Sequence, residues 1–128
     1  MILIDTSAWV EFLRDTGSPV CKRVDTAVES GFATCHPVRM EVLAGARDER
    51  HLAELRGLLA RGVILPTPPE HFEAAAGLYR TCRRRGETVH RLIDCLIAAH
   101  AISADAELLQ ADSDFETLSR WTPLKLAA

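Results

Sequence analysis

The sequence predicts an α/β fold in which helices cover both faces of a small parallel sheet, a three-layer α/β/α arrangement. Ile2 to Ile4 and Val63 to Leu65 are short continuously apolar runs, the first reading as a strand buried on both faces, and Phe32 to Cys35, Ala106 to Leu109 and Leu124 to Leu126 are further strand candidates. Between them lie segments whose apolar residues recur at helical spacing, and strands separated by helices pair in parallel through crossovers. The third observation is uniformity. The 128 residues carry no repeat, no flexible linker and no second composition regime, so residues 1–128 are expected to form one domain.

Ile2-Leu3-Ile4 runs at once into Asp5-Thr6-Ser7, and Trp9, Phe12 and Leu13 then recur at helical spacing, so a strand, a tight turn and a helix open the chain. A second helix is expected from about Pro19 to Glu29, with Pro19 suited to a first turn and Gly31 to a C-terminal stop. After the second strand, His36-Pro37 leads into a helix from Val38 to Ala46. Asp48 is suited to cap the next helix, in which Leu52, Leu55 and Leu59 line one face until Gly62 stops it. Pro66-Thr67-Pro68-Pro69 breaks the chain after the third strand, and Phe72, Ala76 and Tyr79 resume a helical stripe that ends near Gly86. Thr88 is suited to cap the following helix, where Leu92, Ile93, Leu96, Ile97 and Ala99 leave little polar surface and predict burial. The fourth strand leads into Asp112-Ser113-Asp114-Phe115 and a short helix through Ser119, before the last strand.

Composition narrows the classes. Apolar residues at 48% and charged residues at 26% are ordinary globular usage and exclude a disordered or collagen-like chain. The apolar run Cys95 to Ala99 falls far short of the roughly 20 residues of a membrane span. Met1-Ile2-Leu3-Ile4-Asp5 lacks the basic and long apolar regions of a secretory signal, so the expected location is the cytoplasm and disulfides are not expected. Cys21, Cys35, Cys82 and Cys95 form no C-x-x-C pair and read as buried small hydrophobes. A net charge of −3 does not announce a nucleic-acid binder, but the distribution matters more. Arg80, Arg83, Arg84, Arg85 and Arg91 fall within twelve residues whose only acid is Glu87, an excess that can face phosphates or simply solvent.

In an open parallel sheet, ligands bind outside the carboxyl ends of the strands. Asp5 ends the first strand and Asp112 follows the fourth. Asp94 lies in the most apolar helix, where an unpaired carboxylate is costly to bury, and an ion pair with Arg91 or His90 is the simplest account of it. Glu41, flanked by Met40, Val42 and Leu43, is expected near a helix start, where the dipole alone would favour it. Yet Asp5, Glu41, Asp94 and Asp112, with Asp114 beside the last, come from four segments that such a topology can bring to one edge. Clustered carboxylates repel one another and hold protons more tightly, a conflict that a hard divalent ion removes. All-oxygen ligation suits Mg²⁺ or Mn²⁺ better than zinc. Thr6 and Ser7, at the turn into the first helix, can orient Asp5, offer hydroxyl and N–H groups to a phosphate, or simply cap.

In these residues the sequence resembles the PIN-domain ribonucleases, in particular the VapC toxins of bacterial VapBC toxin–antitoxin pairs. The resemblance rests on Ile-Leu-Ile-Asp-Thr-Ser at the start, Glu41 within Met-Glu-Val-Leu-Ala-Gly, Asp94-Cys-Leu-Ile-Ala-Ala, and Asp112-Ser-Asp-Phe, whose order and spacing span essentially the whole chain. It implies a metal-dependent endoribonuclease, the toxin of a type II pair, with Asp5, Glu41, Asp94 and Asp112 as catalytic acids holding one or two Mg²⁺ or Mn²⁺ ions. Asp114 would support the metal directly or through water, and the arginines would contact the RNA backbone. The implied substrate is a structured RNA such as tRNA or rRNA, cut to leave 5′-phosphate and 3′-hydroxyl ends. The implied partners are a VapB-type antitoxin and a second copy of the chain, in a homodimer within a hetero-oligomer. Trp9, Phe12, Leu13, Leu52, Leu55 and Leu59 are candidate groove residues for the antitoxin, or ordinary core. Relatives often carry a Thr-Arg or similar pair just before the fourth acid, where this chain has Gln110-Ala111.

Other readings fit less well. A haloacid-dehalogenase-like phosphatase needs a second Asp where Ser7 stands, a receiver domain needs a phosphoacceptor Asp where Leu65 meets Pro66, and no phosphate-cradling glycine motif occurs. The alternative that remains is a metal-free PIN-like domain serving only to bind a partner.

Overall fold

A computed structural model describes residues 1–128. In chain order the elements are β1 (Ile2–Ile4), α1 (Thr6–Leu13), α2 (Pro19–Ser30), β2 (Ala33–Cys35), α3 (His36–Ala44), α4 (Glu49–Leu59), β3 (Val63–Leu65), α5 (Glu70–Arg84), α6 (Leu92–Ser103), β4 (Glu107–Leu109), α7 (Ser113–Trp121) and β5 (Lys125–Leu126). The five strands pair in parallel in the order β3-β2-β1-β4-β5. The chain therefore builds outward from β1 through β2 to β3, then returns to lay β4 and β5 on the other side. That return makes β1 and β4 neighbours across a topological switch point, with Leu3 opposite Leu108 and Ile4 opposite Leu109.

Burial follows this order. Leu3 and Ile4 of β1 and all of β2 are buried, whereas Val63 and Ile64 of β3 are exposed on the sheet's edge. α1 packs on α2, α5 packs with α6 and α7, and α3 touches α1, α4 and α6. Trp9, wholly buried on α1, meets Phe12 and Phe32 edge-on at centroid distances of 6.0 and 5.3 Å. Two glycines are required by this packing. Gly31 ends α2 at φ +114°, a conformation that L side chains rarely adopt. Gly62 sits where a Cβ would lie 2.3 Å from the Phe32 ring.

α6 is buried on most sides, as its composition predicts, and its His100 is satisfied by the Thr67 hydroxyl at 2.7 Å and the Leu96 carbonyl at 2.8 Å. The four cysteines are free and buried. No helix is long and apolar enough to cross a membrane. Asp48 caps α4 by accepting the His51 N–H at 2.8 Å.

Two expectations are corrected. α3 starts at His36, directly from β2, with Pro37 in the first turn where a missing N–H costs nothing. Glu41 thus falls past the first turn, and the helix dipole does not account for it. Thr88 does not cap α6, which begins at Leu92 with no side-chain capping bond. The Asp114 carboxylate of α7 instead accepts the N–H groups of His90 and Arg91, at 2.9 and 3.0 Å, so a tertiary contact does the work of a local cap.

Candidate metal centre

The centre starts at the carboxyl ends of β1 and β4. The Asp5 N–H extends the β1–β4 ladder by donating to the Leu109 carbonyl at 2.9 Å, and Asp5 then caps α1. Its Oδ2 accepts the Ser7 N–H at 2.8 Å and the Ser7 hydroxyl at 2.6 Å, while its Oδ1 is buried with no hydrogen-bond partner. Asp112 repeats the device after β4, capping α7 by accepting the Asp114 N–H on Oδ1 at 2.9 Å. The Gln110-Ala111 pair that departs from the family pattern has a positioning role. Gln110 Oε1 accepts the Asp112 N–H at 2.7 Å, and the Ala111 N–H donates to the Ser7 hydroxyl at 2.9 Å, tying the two strand-end turns together.

Helices supply the other acids. Glu41, from α3, accepts the Thr6 hydroxyl on Oε1 at 2.8 Å and pairs through Oε2 with the Arg91 guanidinium. Of the two hydroxyls expected to orient Asp5, Ser7 does so and Thr6 holds Glu41 instead. Asp94, from α6, is only 2% exposed, and its Oδ2 has no hydrogen-bond partner. Neither expected ion-pair partner bonds to it, since Arg91 reaches Glu41 and the His90 ring nitrogen Nδ1 reaches Asp114 at 2.8 Å. Ligand oxygens of Asp94, Asp112 and Asp114 lie within 4.8 Å of one another. Asp5 and Glu41 fall outside this trio: Asp5 acts on Asp94, and Glu41 on Asp5, through their charges.

The carboxyl groups are driven apart in proton affinity. Burial pushes Asp94 up to about 8, helped by a hydrogen bond to Asp114 and by the charges of Asp5 and Asp112, against the opposing charge of Arg91. Burial likewise raises Asp5 to about 6, although Ser7's hydroxyl and N–H favour the ionised form. Burial works in the same direction on Asp114, but hydrogen bonds from His90, Asp94 and the Arg91 N–H outweigh it and hold Asp114 below its ordinary value. Asp94 therefore carries a proton at neutral pH when no cation is present and shares it with an ionised Asp114.

The basic residues divide. Arg80, Arg83 and Arg84 are exposed on the last turns of α5 and Arg85 at its C-cap, with Arg83 over the Tyr79 ring at 5.7 Å and Arg85 over Trp121 at 5.0 Å. Glu87, the one acid near them in sequence, is taken by Arg120 at 2.6 Å. Arg91 stands apart, at the acidic centre. A groove of about 400 Å³ opens beside Glu41, lined by Val10, Leu13, Arg14, Arg47, His51 and Leu55 among others. Of the proposed groove residues only Leu13 and Leu55 line it; Trp9 and Leu59 are wholly buried core. Val10, Arg47 and His51 escaped the sequence reading because the groove is formed by three helices.

Three carboxylates with oxygens within 4.8 Å, one of them Asp94 with a buried unpartnered oxygen, form a donor set suited to a hard divalent cation, and Asp5 at the end of β1 keeps a second such oxygen. The sequence matches the PIN domain family over residues 2–120. It is 43% identical, over 100% of this chain and 98% of the relative, to Ribonuclease VapC11 of Mycobacterium tuberculosis and, with the same figures, to a VapC ribonuclease of Mycobacterium bovis. Among solved structures, VapBC2 from Rickettsia felis, bound to a DNA fragment from its promoter, superposes with a TM-score of 0.78 at 20% identity, covering 99% of this chain and 98% of the other.

Proposed function

Because the chain belongs to the PIN-domain family, we propose that it is a divalent-metal-dependent endoribonuclease, the toxin of a type II toxin–antitoxin pair, acting on structured RNA such as tRNA or rRNA in the cytoplasm. The observation that carries the metal-dependent reading is Asp94, whose buried Oδ2 has no partner in the protein and whose carboxylate lies within 4.8 Å of those of Asp112 and Asp114. Full-length identity of 43% to VapC ribonucleases supports the activity, and likeness to a VapBC complex supports an antitoxin partner.

In this reading Asp5, Glu41, Asp94 and Asp112 hold Mg²⁺ or Mn²⁺. An ion held there supplies Lewis acidity toward a phosphodiester and lowers the pKa of an attacking water. Asp114 has both oxygens engaged by N–H groups of His90 and Arg91, so its part is to orient Asp94 and the turn before α6. Ser7 fixes Asp5, Thr6 fixes Glu41, Gln110 fixes the Asp112 backbone, and Ala111 ties that turn to Ser7. Asp94 gives up its proton as cation binding replaces it. The exposed arginines of α5 contact the RNA backbone. The groove beside Glu41 receives an antitoxin segment, and the exposed Met40, Phe72 and Leu92, beside Ile93 and Leu96, give an apolar face for a second copy.

Melting at neutral pH in EDTA and then in millimolar Mn²⁺ tests the metal without knowledge of the RNA. Binding stabilises the fold by RT ln(1 + [L]/Kd), about 2.7 kcal/mol at a hundredfold excess over Kd. The wild-type chain is expected to melt higher with Mn²⁺ and to cleave RNA only with the ion, and Asp5→Asn and Asp112→Asn should each diminish both effects. Identical melting in both conditions, with no ion detected by calorimetry, would favour the metal-free partner-binding domain.

A further inference from the structure

Glu41 differs from Asp5 and Asp94 in one respect. Asp5 and Asp94 each keep an oxygen without a partner, whereas both Glu41 oxygens are engaged, Oε1 by Thr6 and Oε2 by Arg91. We propose that Arg91 is an internal counter-cation that holds Glu41 in the metal-free chain and is released, when a divalent ion takes Glu41, to bind a phosphate of the RNA strand. This rests on the metal-dependent reading above.

The backbone and side chain of Arg91 are built for two states. Its N–H is fixed to Asp114 Oδ2 at 3.0 Å, so the residue stays beside the centre whatever its side chain does. The side chain is 50% exposed, and the guanidinium can leave Glu41 without disturbing the core. Electrostatics gives a direction to the change. Without a cation, the guanidinium is the one basic side chain paired directly with an acid of the centre other than Asp114. A divalent ion at Glu41 replaces that attraction with repulsion between like charges. The displaced guanidinium then presents its planar fork, which matches two phosphate oxygens at once, in a way that an ammonium would not. Arg80, Arg83, Arg84 and Arg85 have no such lock, being free of carboxylate partners on α5 and its C-cap. The consequence is that metal and RNA bind with positive coupling through a single side chain.

The test begins without metal. A fluorescein-labelled single-stranded RNA is titrated in EDTA, by fluorescence anisotropy, with wild type, Glu41→Gln, Arg91→Gln and the double variant. Glu41→Gln unlocks the guanidinium and should tighten RNA binding about fivefold, the size of one exposed charge-assisted contact. On the Arg91→Gln background the same change should do little. Equal tightening on both backgrounds means that Glu41 only repels RNA by its charge, and overturns the proposal. Calorimetry with Mn²⁺ is the second arm. Arg91→Gln should bind the ion several-fold more tightly than wild type, because no guanidinium has to be displaced; equal or weaker binding overturns displacement. If Arg91→Gln fails to fold, Arg91→Lys replaces it and should bind Mn²⁺ more tightly than wild type, since an ammonium lacks the fork that grips Glu41; equal or weaker binding again counts against displacement. A wild-type chain that binds no Mn²⁺ removes the metal-dependent reading itself, a failure that the EDTA arm keeps separate.

Discussion

Replacing Asp94 by Asn should make the metal-free protein more stable, the opposite of what a structural ion pair predicts. The Asp94 carboxyl is raised from 3.8 to about 8, so the folded chain binds a proton there more tightly than the unfolded chain does. A carboxyl raised in this way leaves stability intact below pH 3.8 and erodes it as pH climbs toward 8, because the unfolded state ionises first. At pH 7 the accumulated cost is on the order of 4 kcal/mol, from 1.36 kcal/mol for each unit between 3.8 and 7. Asn carries no proton to bind, and its amide can donate to Asp114 as the protonated acid does. At about 4 °C per kcal/mol for a chain of this size, Asp94→Asn should melt up to ~15 °C above the parent in EDTA at pH 7. The gap should narrow toward pH 4.5, and Mn²⁺ should raise the parent's melting temperature but not the variant's. Circular dichroism melts across this pH range, with and without the ion, are sufficient. A variant that melts at or below the parent in EDTA at pH 7, or one that still responds to Mn²⁺, refutes the reasoning.

The same pKa values predict proton release on metal binding: with Asp94 near 8 and Asp5 near 6, Mn²⁺ binding at pH 7 should expel about one proton and at pH 9 almost none. Calorimetry in buffers of different ionisation enthalpy measures it, and an unchanged count would contradict the Asp94 assignment. Replacing Arg83, Arg84 and Arg85 together by Gln should weaken binding to all RNAs similarly and flatten the logarithmic salt slope by about 0.7 for each phosphate no longer neutralised. An unaltered slope returns these arginines to a solvated surface. Gly62→Ala should cost about 1–3 kcal/mol, because the new methyl meets the Phe32 ring, and a melt equal to the parent's would show that the ring moves aside freely.

What the sequence makes legible is local, and what it hides is distant. Pro19 and Gly31 bound α2 and Asp48 starts α4, because a cap and a stop act within a few residues. The acids themselves stand out because a carboxylate in an apolar helix is anomalous wherever the helix lies. Their pairing is another matter. His90 meets Asp114 across 24 residues and Arg91 meets Glu41 across 50, and nothing in a one-dimensional pattern distinguishes those partners from Asp94 four and three positions away. Thr88 fails as a cap for the same reason, since a carboxylate from α7 outcompetes it for the N–H groups it would have served.

The two strand-end acids make folding and ligand geometry one set of interactions. Asp5 and Asp112 each use one oxygen to cap the helix that follows a strand, and the cap fixes the direction in which the carboxylate is held. Asn is as good an N-cap as Asp, so Asp112→Asn removes charge while keeping the cap, whereas Asp112→Ala adds the cap's loss of about 1 kcal/mol. Asp94 contributes no cap, and keeping its buried carboxyl protonated at neutral pH is a cost until a cation arrives. Stability in EDTA therefore separates the roles: Asp112→Ala should fall below the parent, Asp112→Asn should stay near it, and Asp94→Asn should rise above it. A centre of ordinary surface acids would give three values alike, and a purely structural polar cluster would give three losses. Only carboxylates held for an absent cation yield a gain at Asp94, which caps no helix and keeps a buried oxygen without a partner in the protein.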